Sequence, residues 1–143
     1  MDWYTGTLYK ALGAADWSAV ERRWALSHLL IHDKDAGIVA AGRWDPLDPA
    51  SLSASPLIDA RSKEYVRLVP APATAFSLRV VSEGEDGRRL AISHWNKFHK
   101  GVLAAALVRD RPRVGSIGAL ASWAQSAGIR LERVGERQLD LVV

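Results

Sequence analysis

The sequence predicts a mixed α/β fold, a single domain over residues 1–143 in which a C-terminal hairpin-helix-helix-strand segment packs on a mixed sheet. Two alternating apolar stretches, residues 75–82 and 88–94, flank the turn "EGEDG" and indicate a β-hairpin. Apolar residues at helical spacing follow in residues 95–110 and 116–128. The length of 143 residues, with 48% hydrophobic and 24% charged side chains, suits one globular core.

The N-terminal segment predicts two helices. Residues 2–14 form a loop and a short helix that ends at Gly13, with Thr5 or Thr7 as its cap. Residues 15–29 place Trp17, Val20 and Trp24 near helical spacing, and Asp16 precedes them as the expected N-cap.

The middle of the chain predicts strands separated by a long loop. Residues 29–33 and 36–42 are short apolar runs split by charged residues, which is typical of buried strands joined by a turn. Residues 43–56 hold three prolines and several serines, so we expect a loop there. Residues 57–69 resume a strand-like composition before Pro70 and Pro72.

The C-terminal half gives the clearest pattern. The hairpin should present one apolar face, covered by a helix over residues 95–110 whose inner side repeats at three and four residue steps. A second helix runs from the N-cap Ser116 to the stop at Gly128, and residues 129–134 and 138–143 finish as strands. The predicted hairpin face consists of Phe76, Leu78, Val80, Leu90 and Ile92. The predicted inner side of the helix consists of Phe98, Val102, Ala105 and Ala106, and extends to Arg109.

Composition restricts the classes of function. Cysteine is absent from the sequence, which excludes disulfides and thiolate chemistry, and we find neither a signal peptide nor a membrane span, so we expect a soluble cytoplasmic protein. The net charge of +3 and pI near 9.5 permit an anionic partner. The six tryptophans either fill the core or form a stacking or interface surface.

The segment "SHWNKFHKG", residues 93–101, lies where a predicted strand ends and a predicted helix begins. Ser93 and His94 would sit at the strand's end beside free backbone N–H groups of the helix, while Lys97 and Lys100 share a helix side. This arrangement favours a phosphate or carboxylate. The alternative is that Ser93 or Asn96 caps the helix and the lysines are solvated, and a Ser-Lys or Ser-His nucleophile pair is a third interpretation.

Three other groups of residues are candidate sites. His28 and His32 have a metal-like spacing but no further ligands at a supportive distance, so we predict neither a metal nor a cofactor. "VGSIG", residues 114–118, is either a helix cap or the hairpin of a DNA-binding helix-hairpin-helix. The segment "DARSKEY" gathers side chains that either orient a base or form a structural ion pair: Asp59, Arg61, Ser62, Glu64 and Tyr65.

Three blocks taken in order resemble the YaaA family of bacterial peroxide-stress proteins: "YTGTLYKAL", "DARSKEY" and "ISHWNKFHKG". The likeness matches roughly the C-terminal half of the family, so the resemblance implies a shortened homologue. It also implies a mixed α/β fold with a basic cleft, DNA binding, and a role in limiting peroxide damage. At the position before the final glycine of the third block, where the family has an arginine, this chain has Lys100. The family blocks fall on Tyr4, Thr5 and Gly6, on Ser62 and Tyr65, and on Ser93, His94, Lys97, Lys100 and Gly101.

Three functional hypotheses follow. The chain binds an anionic ligand, DNA or a nucleotide, in a basic pocket; or it is a small enzyme of specialised metabolism acting on an anionic metabolite; or it is a partner subunit, with a homo-oligomer among the expectations. All depend on the three blocks meeting in space. The candidate catalytic residues are Ser93, His94, Lys97 and Tyr65, and the candidate ligand-binding residues are Tyr4, Thr5, Gly6, Arg61, Ser62, Lys100 and Gly101.

Overall fold

The structure, a computed structural model, describes residues 6–33, 37–40, 57–61, 63–68, 70–71 and 73–143. The α-helices are α1 (Thr7–Leu12), α2 (Ala19–His28), α3 (Lys63–Leu68), α4 (Asn96–Asp110) and α5 (Ile117–Ser126). The strands are β1 (Leu30–Asp33), β2 (Gly37–Ala40), β3 (Ile58–Asp59), β4 (Phe76–Glu83), β5 (Arg89–Ala91), β6 (Leu131–Gly135) and β7 (Gln138–Val142). The predicted loop at residues 43–56 lies outside the described residues.

The main sheet is mixed and has the order β3-β4-β7-β6, with β5 paired to β4. β4 runs parallel to β3 and β7 and antiparallel to β5, and β6 pairs antiparallel with β7. β1 and β2 form a separate antiparallel pair. The mixed α/β class, the hairpin and the two C-terminal strands predicted from the sequence are therefore confirmed, and the structure pairs those two strands with each other.

The core lies between one face of this sheet and the helices α4 and α5. Alternate residues of β4 point to this face and are buried with Leu139 and Leu141 of β7. Leu103 of α4 and Leu120 of α5 pack against them. The prediction was wrong for Leu90, which is 67% exposed because it pairs with Ser82 next to the hairpin turn, at the end of the face.

The predicted inner side of α4 is confirmed at Ala106, which is buried, but was wrong at three other positions. Phe98 and Val102 are exposed, as is Arg109, whereas Gly101 and Leu103 are buried. The physical reason is that α4 packs on two sides, against the sheet and against α1. A Cβ on Gly101 would lie 2.3 Å from the Leu8 carbonyl oxygen, so the contact with α1 requires a residue without a side chain.

Three local predictions need correction. The N-cap of α2 is Ser18, not Asp16, and its side chain forms a reciprocal capping box with Glu21. The N-cap of α1 is Gly6 rather than a threonine. Residues 63–68 form the helix α3 rather than a strand, consistent with the helix propensity of its Lys, Glu, Leu and Arg residues.

The predicted ends of α5 are confirmed. The Ser116 hydroxyl accepts a hydrogen bond from the Ala119 backbone, and Gly128 adopts a φ of 72° just beyond the helix. The capping interpretation of "VGSIG" therefore accounts for Ser116.

The opposite face of the sheet carries a network of ion pairs. Arg79 donates two hydrogen bonds of 2.9 Å to Asp140, whose side chain is fully buried. Arg89 also contacts Asp140, together with Glu83 and Glu132. The hydrogen bonds from Arg79 hold the pKa of Asp140 below its ordinary value although burial opposes this.

Candidate functional site

Lys100 joins the third sequence block to the second. Its side chain is only 7% exposed, and its ammonium group donates a 2.8 Å hydrogen bond to the Ala60 carbonyl oxygen. Burial lowers the pKa of Lys100, and the nearby Asp59 carboxylate works against that shift. The charge of Lys100 is thus used inside the protein, at the loop that follows β3.

Asp59 and Arg61 fix the shape of that loop. The Arg61 side chain contacts both Asp59 oxygens, with Nε 3.0 Å from Oδ1 and Nη2 2.7 Å from Oδ2. The Arg61 backbone N–H also donates to Oδ1 at 2.9 Å. Burial opposes ionisation of Asp59, but these hydrogen bonds outweigh it and lower its pKa. The structural ion pair, one of the two interpretations of this segment, is present.

His32 connects β1 to the same cluster. Its Nδ1 lies 3.1 Å from Nη1 of Arg61. Because a guanidinium can only donate hydrogen bonds, His32 accepts with Nδ1 and carries its proton on Nε2. We define the ionisable cluster as His32, Asp59, Arg61 and Lys100, of which Lys100 is buried and the other three are partly buried. From the sequence, His32 was a candidate only as a metal ligand, since a contact across 29 residues leaves no local signal.

The first turn of α4 lies at the surface. The segment was predicted to connect a strand to a helix, and this is confirmed because β5 ends at Ala91 and α4 begins at Asn96. The N-cap is Trp95, and no side chain caps the helix, so neither Ser93 nor Asn96 has the capping role considered for it. Ser93, His94 and Lys97 are exposed.

Asn96 adds an unsatisfied group to this turn. Its Oδ1 is buried and accepts no hydrogen bond from any described residue. Because the first backbone N–H groups of a helix have no partner within the helix, this turn offers a set of polar groups to a ligand. A buried carbonyl oxygen without a partner is unusual, and as an acceptor it would pair with a hydrogen-bond donor rather than with an anion.

Four rings continue along the same turn in edge-to-face contact. The ring centroids of His94 and Trp95 are 5.5 Å apart, those of Trp95 and Phe98 5.8 Å, and those of Phe98 and His99 5.4 Å. Trp95 is 56% exposed and Phe98 is 38% exposed. We define His94, Trp95, Phe98 and His99 as the aromatic ladder. Helical spacing predicted a core position for Phe98, and nothing in the sequence pattern indicated that the four rings form one cluster.

Parts of the three blocks meet. Gly101 contacts α1, which lies within the first block, and Lys100 reaches the second block at Ala60. Lys97 and Lys100 do not share an environment, since Lys97 is exposed and Lys100 is buried. Tyr4, Thr5 and Ser62 lie outside the described residues, and of Tyr65 only the backbone, in α3, is described.

Two searches of the described ranges concern other classes of site. No group of three or more His, Cys, Asp or Glu side chains there could hold a metal ion. No helix within those ranges has the length and apolar character needed to cross a bilayer.

Comparison with known proteins identifies relatives of the chain. No family model matches it. A UPF0246 protein of Corynebacterium efficiens is 30% identical over 157 aligned residues, covering 90% of this chain and 62% of that protein. A UPF0246 protein of Corynebacterium glutamicum is 38% identical over 76 residues, covering 53% of this chain and 31% of its own length. The chain thus spans less than two thirds of the length of these relatives. Together with the three sequence blocks, these matches show that the chain belongs to the UPF0246 family, that is, the YaaA family.

Proposed function

We propose that the chain binds an anionic partner, DNA or a nucleotide, at the first turn of α4. The observation that carries the proposal is the exposed Lys97 beside uncapped backbone N–H groups. Both the free N–H groups and the helix dipole favour negative charge at this end. Residues 87–109 contain no Asp or Glu, and of their five cations Lys97 is the one that lies in this turn without an ion pair to any described residue; the others are Arg88, Arg89, Lys100 and Arg109.

In this proposal the partly buried Arg61 and the buried Lys100 position the site rather than contact the ligand. The Arg61 guanidinium is engaged by Asp59 and His32, and the Lys100 ammonium by the Ala60 carbonyl. These contacts hold the segment that leads into Ser62 against α4. The cation available to a ligand is then Lys97, and Arg61 and Lys100 keep the neighbouring backbone in place.

The salt dependence of DNA binding tests the proposal. We expect the affinity for a labelled duplex to fall steeply with salt, and Lys97→Gln to reduce the slope of log K against log salt by about 0.9 for each phosphate that the lysine neutralises. The matched control is Arg113→Gln. Arg113 is an exposed cation beyond the C-terminal end of α4, a helix roughly 22 Å long, and so lies far from its first turn. The proposal is contradicted if both substitutions change the slope of log K against log salt equally, or if the affinity for DNA does not depend on the salt concentration.

The role in peroxide stress rests on the family resemblance alone. If the DNA-binding role serves that response, a strain lacking the gene should survive hydrogen peroxide poorly, and the Lys97→Gln protein should restore survival less well than the Arg113→Gln protein. Equal rescue by both variants would separate the stress role from this site.

A second candidate function is an enzyme acting on an anionic metabolite. The observation that favours it is the ionisable cluster, because groups with perturbed pKa values concentrate at active sites. The candidate catalytic residues are Ser93, His94, Lys97 and Tyr65, with Ser93 or Tyr65 as nucleophile or proton donor and His94 as base. Depletion of a phosphorylated or carboxylated metabolite that persists in Ser93→Ala and His94→Ala proteins contradicts this function.

A further inference from the structure

The aromatic ladder spans the residues just before α4 and its first turn, where helical periodicity predicts buried apolar side chains. Trp95, Phe98 and Val102 lie three and four residues apart along one side of the helix, and all are exposed, Val102 by 44%. An exposed stripe of large apolar residues marks a surface that binds something. Its rings retain free area, because an edge-to-face pair covers only one face of one ring.

The charge around the stripe restricts what binds there. Lys97 is exposed within the ladder segment, and no acidic residue occurs between residues 87 and 109. The centre of a protein–protein interface is depleted in charge, whereas proteins that bind single-stranded nucleic acid combine cations with exposed aromatic rings. The combination of Lys97 with the flanking rings of Trp95 and Phe98 is of the second kind.

We propose that the aromatic ladder stacks unpaired bases, so that the preferred partner of this site is single-stranded nucleic acid or an unpaired stretch within a duplex. Trp95 and Phe98 receive base faces, while Lys97 and the first turn of α4 take the adjoining phosphates. A closed duplex presents its phosphates but hides its base faces in the stack. This inference rests on the proposed anion-binding function and names the substrate class.

The test compares three labelled strands by fluorescence anisotropy: a single strand of roughly 12 nucleotides, its duplex, and an abasic strand of equal length. We expect the single strand to bind most tightly. Trp95→Ala and Phe98→Ala should each weaken its binding roughly 5- to 150-fold while changing duplex and abasic binding little. Trp95→Phe should retain most of the affinity. Leu26→Ala, which removes another exposed apolar side chain on α2, is the matched control.

The outcomes separate the inference from the proposed function. If no strand binds, both fail. If the duplex binds in a salt-sensitive way but the single strand has no advantage and the ladder variants behave like Leu26→Ala, only the base-stacking inference fails. If light scattering shows an oligomer that Trp95→Ala and Phe98→Ala dissociate, without an effect on single-strand binding, the ladder is a protein interface and the inference is overturned. Because Trp95 and Phe98 are exposed, the variants should melt like the parent protein.

Discussion

Replacement of Gly101 by alanine should destabilise the protein by separating α1 from α4. The new Cβ would lie 2.3 Å from the Leu8 carbonyl oxygen and 2.8 Å from the Ala11 Cβ. Ordinary contact begins near 3.4 Å, so the helices must move apart by about 1.1 Å at this point. The obstacle is backbone, which cannot rotate away as a flexible side chain could.

The magnitude follows from two opposing effects. Overpacking of this kind costs about 1–3 kcal/mol, while exchanging glycine for alanine inside a helix stabilises it by about 0.8–1 kcal/mol. Because the clash is with a carbonyl, we expect a net loss of about 1–2 kcal/mol. An unfolding entropy of about 2.1 cal/mol/K per residue gives roughly 0.3 kcal/mol/K for 143 residues, hence a melting temperature lowered by about 3–7 °C.

The assay is thermal and urea unfolding followed by circular dichroism, with Gly118→Ala as the matched control. Gly118 lies in α5, and its Cβ would meet only the Ser116 hydroxyl oxygen at 3.9 Å. Alanine there should stabilise the protein by up to about 1 kcal/mol. If Gly101→Ala is as stable as the parent or follows Gly118→Ala, the close helix contact is refuted.

Three further substitutions test the account. Ser18→Ala should cost about 1 kcal/mol in urea unfolding because it removes the cap of α2, whereas Asp16→Ala should have no effect, and the reverse order would contradict the observed cap. Asp140→Asn should cost about 3 kcal/mol at neutral pH. Since its folded pKa is lowered, the stability that Asp140 contributes is present above about pH 4 and is lost as pH falls toward the folded value, so the parent should lose more stability on acidification than the variant. Asp86→Asn, in an exposed pair, should leave the profile unchanged, and a similar profile for Asp140→Asn would refute the buried pair. Arg61→Lys should cost about 1–3 kcal/mol, because lysine cannot hold both Asp59 oxygens and also reach His32, and an unchanged urea midpoint would show that the cluster is not needed.

Local patterns predicted most of the elements. The hairpin, α5 and the last two strands depend on alternation, caps and turn glycines, all of which act between near neighbours in sequence. The inner side of α4 could not be predicted in this way, because Phe98 and Val102 have the apolar character of core residues. The close approach of α1 at Gly101 turns the helix so that these two side chains face outward.

The site was predicted in part for the same reason. The convergence of the second and third blocks was expected, and the hydrogen bond from Lys100 to Ala60 joins them. Lys100 is buried and Lys97 is exposed because of the position of the loop after β3. That position depends on the Asp59–Arg61 pair and on the contact of Arg61 with His32, which lies 29 residues away in the chain.

The central claim is that the first turn of α4 receives a negatively charged partner. The most direct measurement is a titration of the ¹⁵N-labelled protein with unlabelled oligonucleotide, followed by backbone amide chemical shifts. We predict that the largest shifts fall on Asn96, Lys97 and Phe98 and disappear as salt is raised. Shifts confined to the arginine-bearing face of the sheet, around Arg79 and Arg130, would contradict the claim.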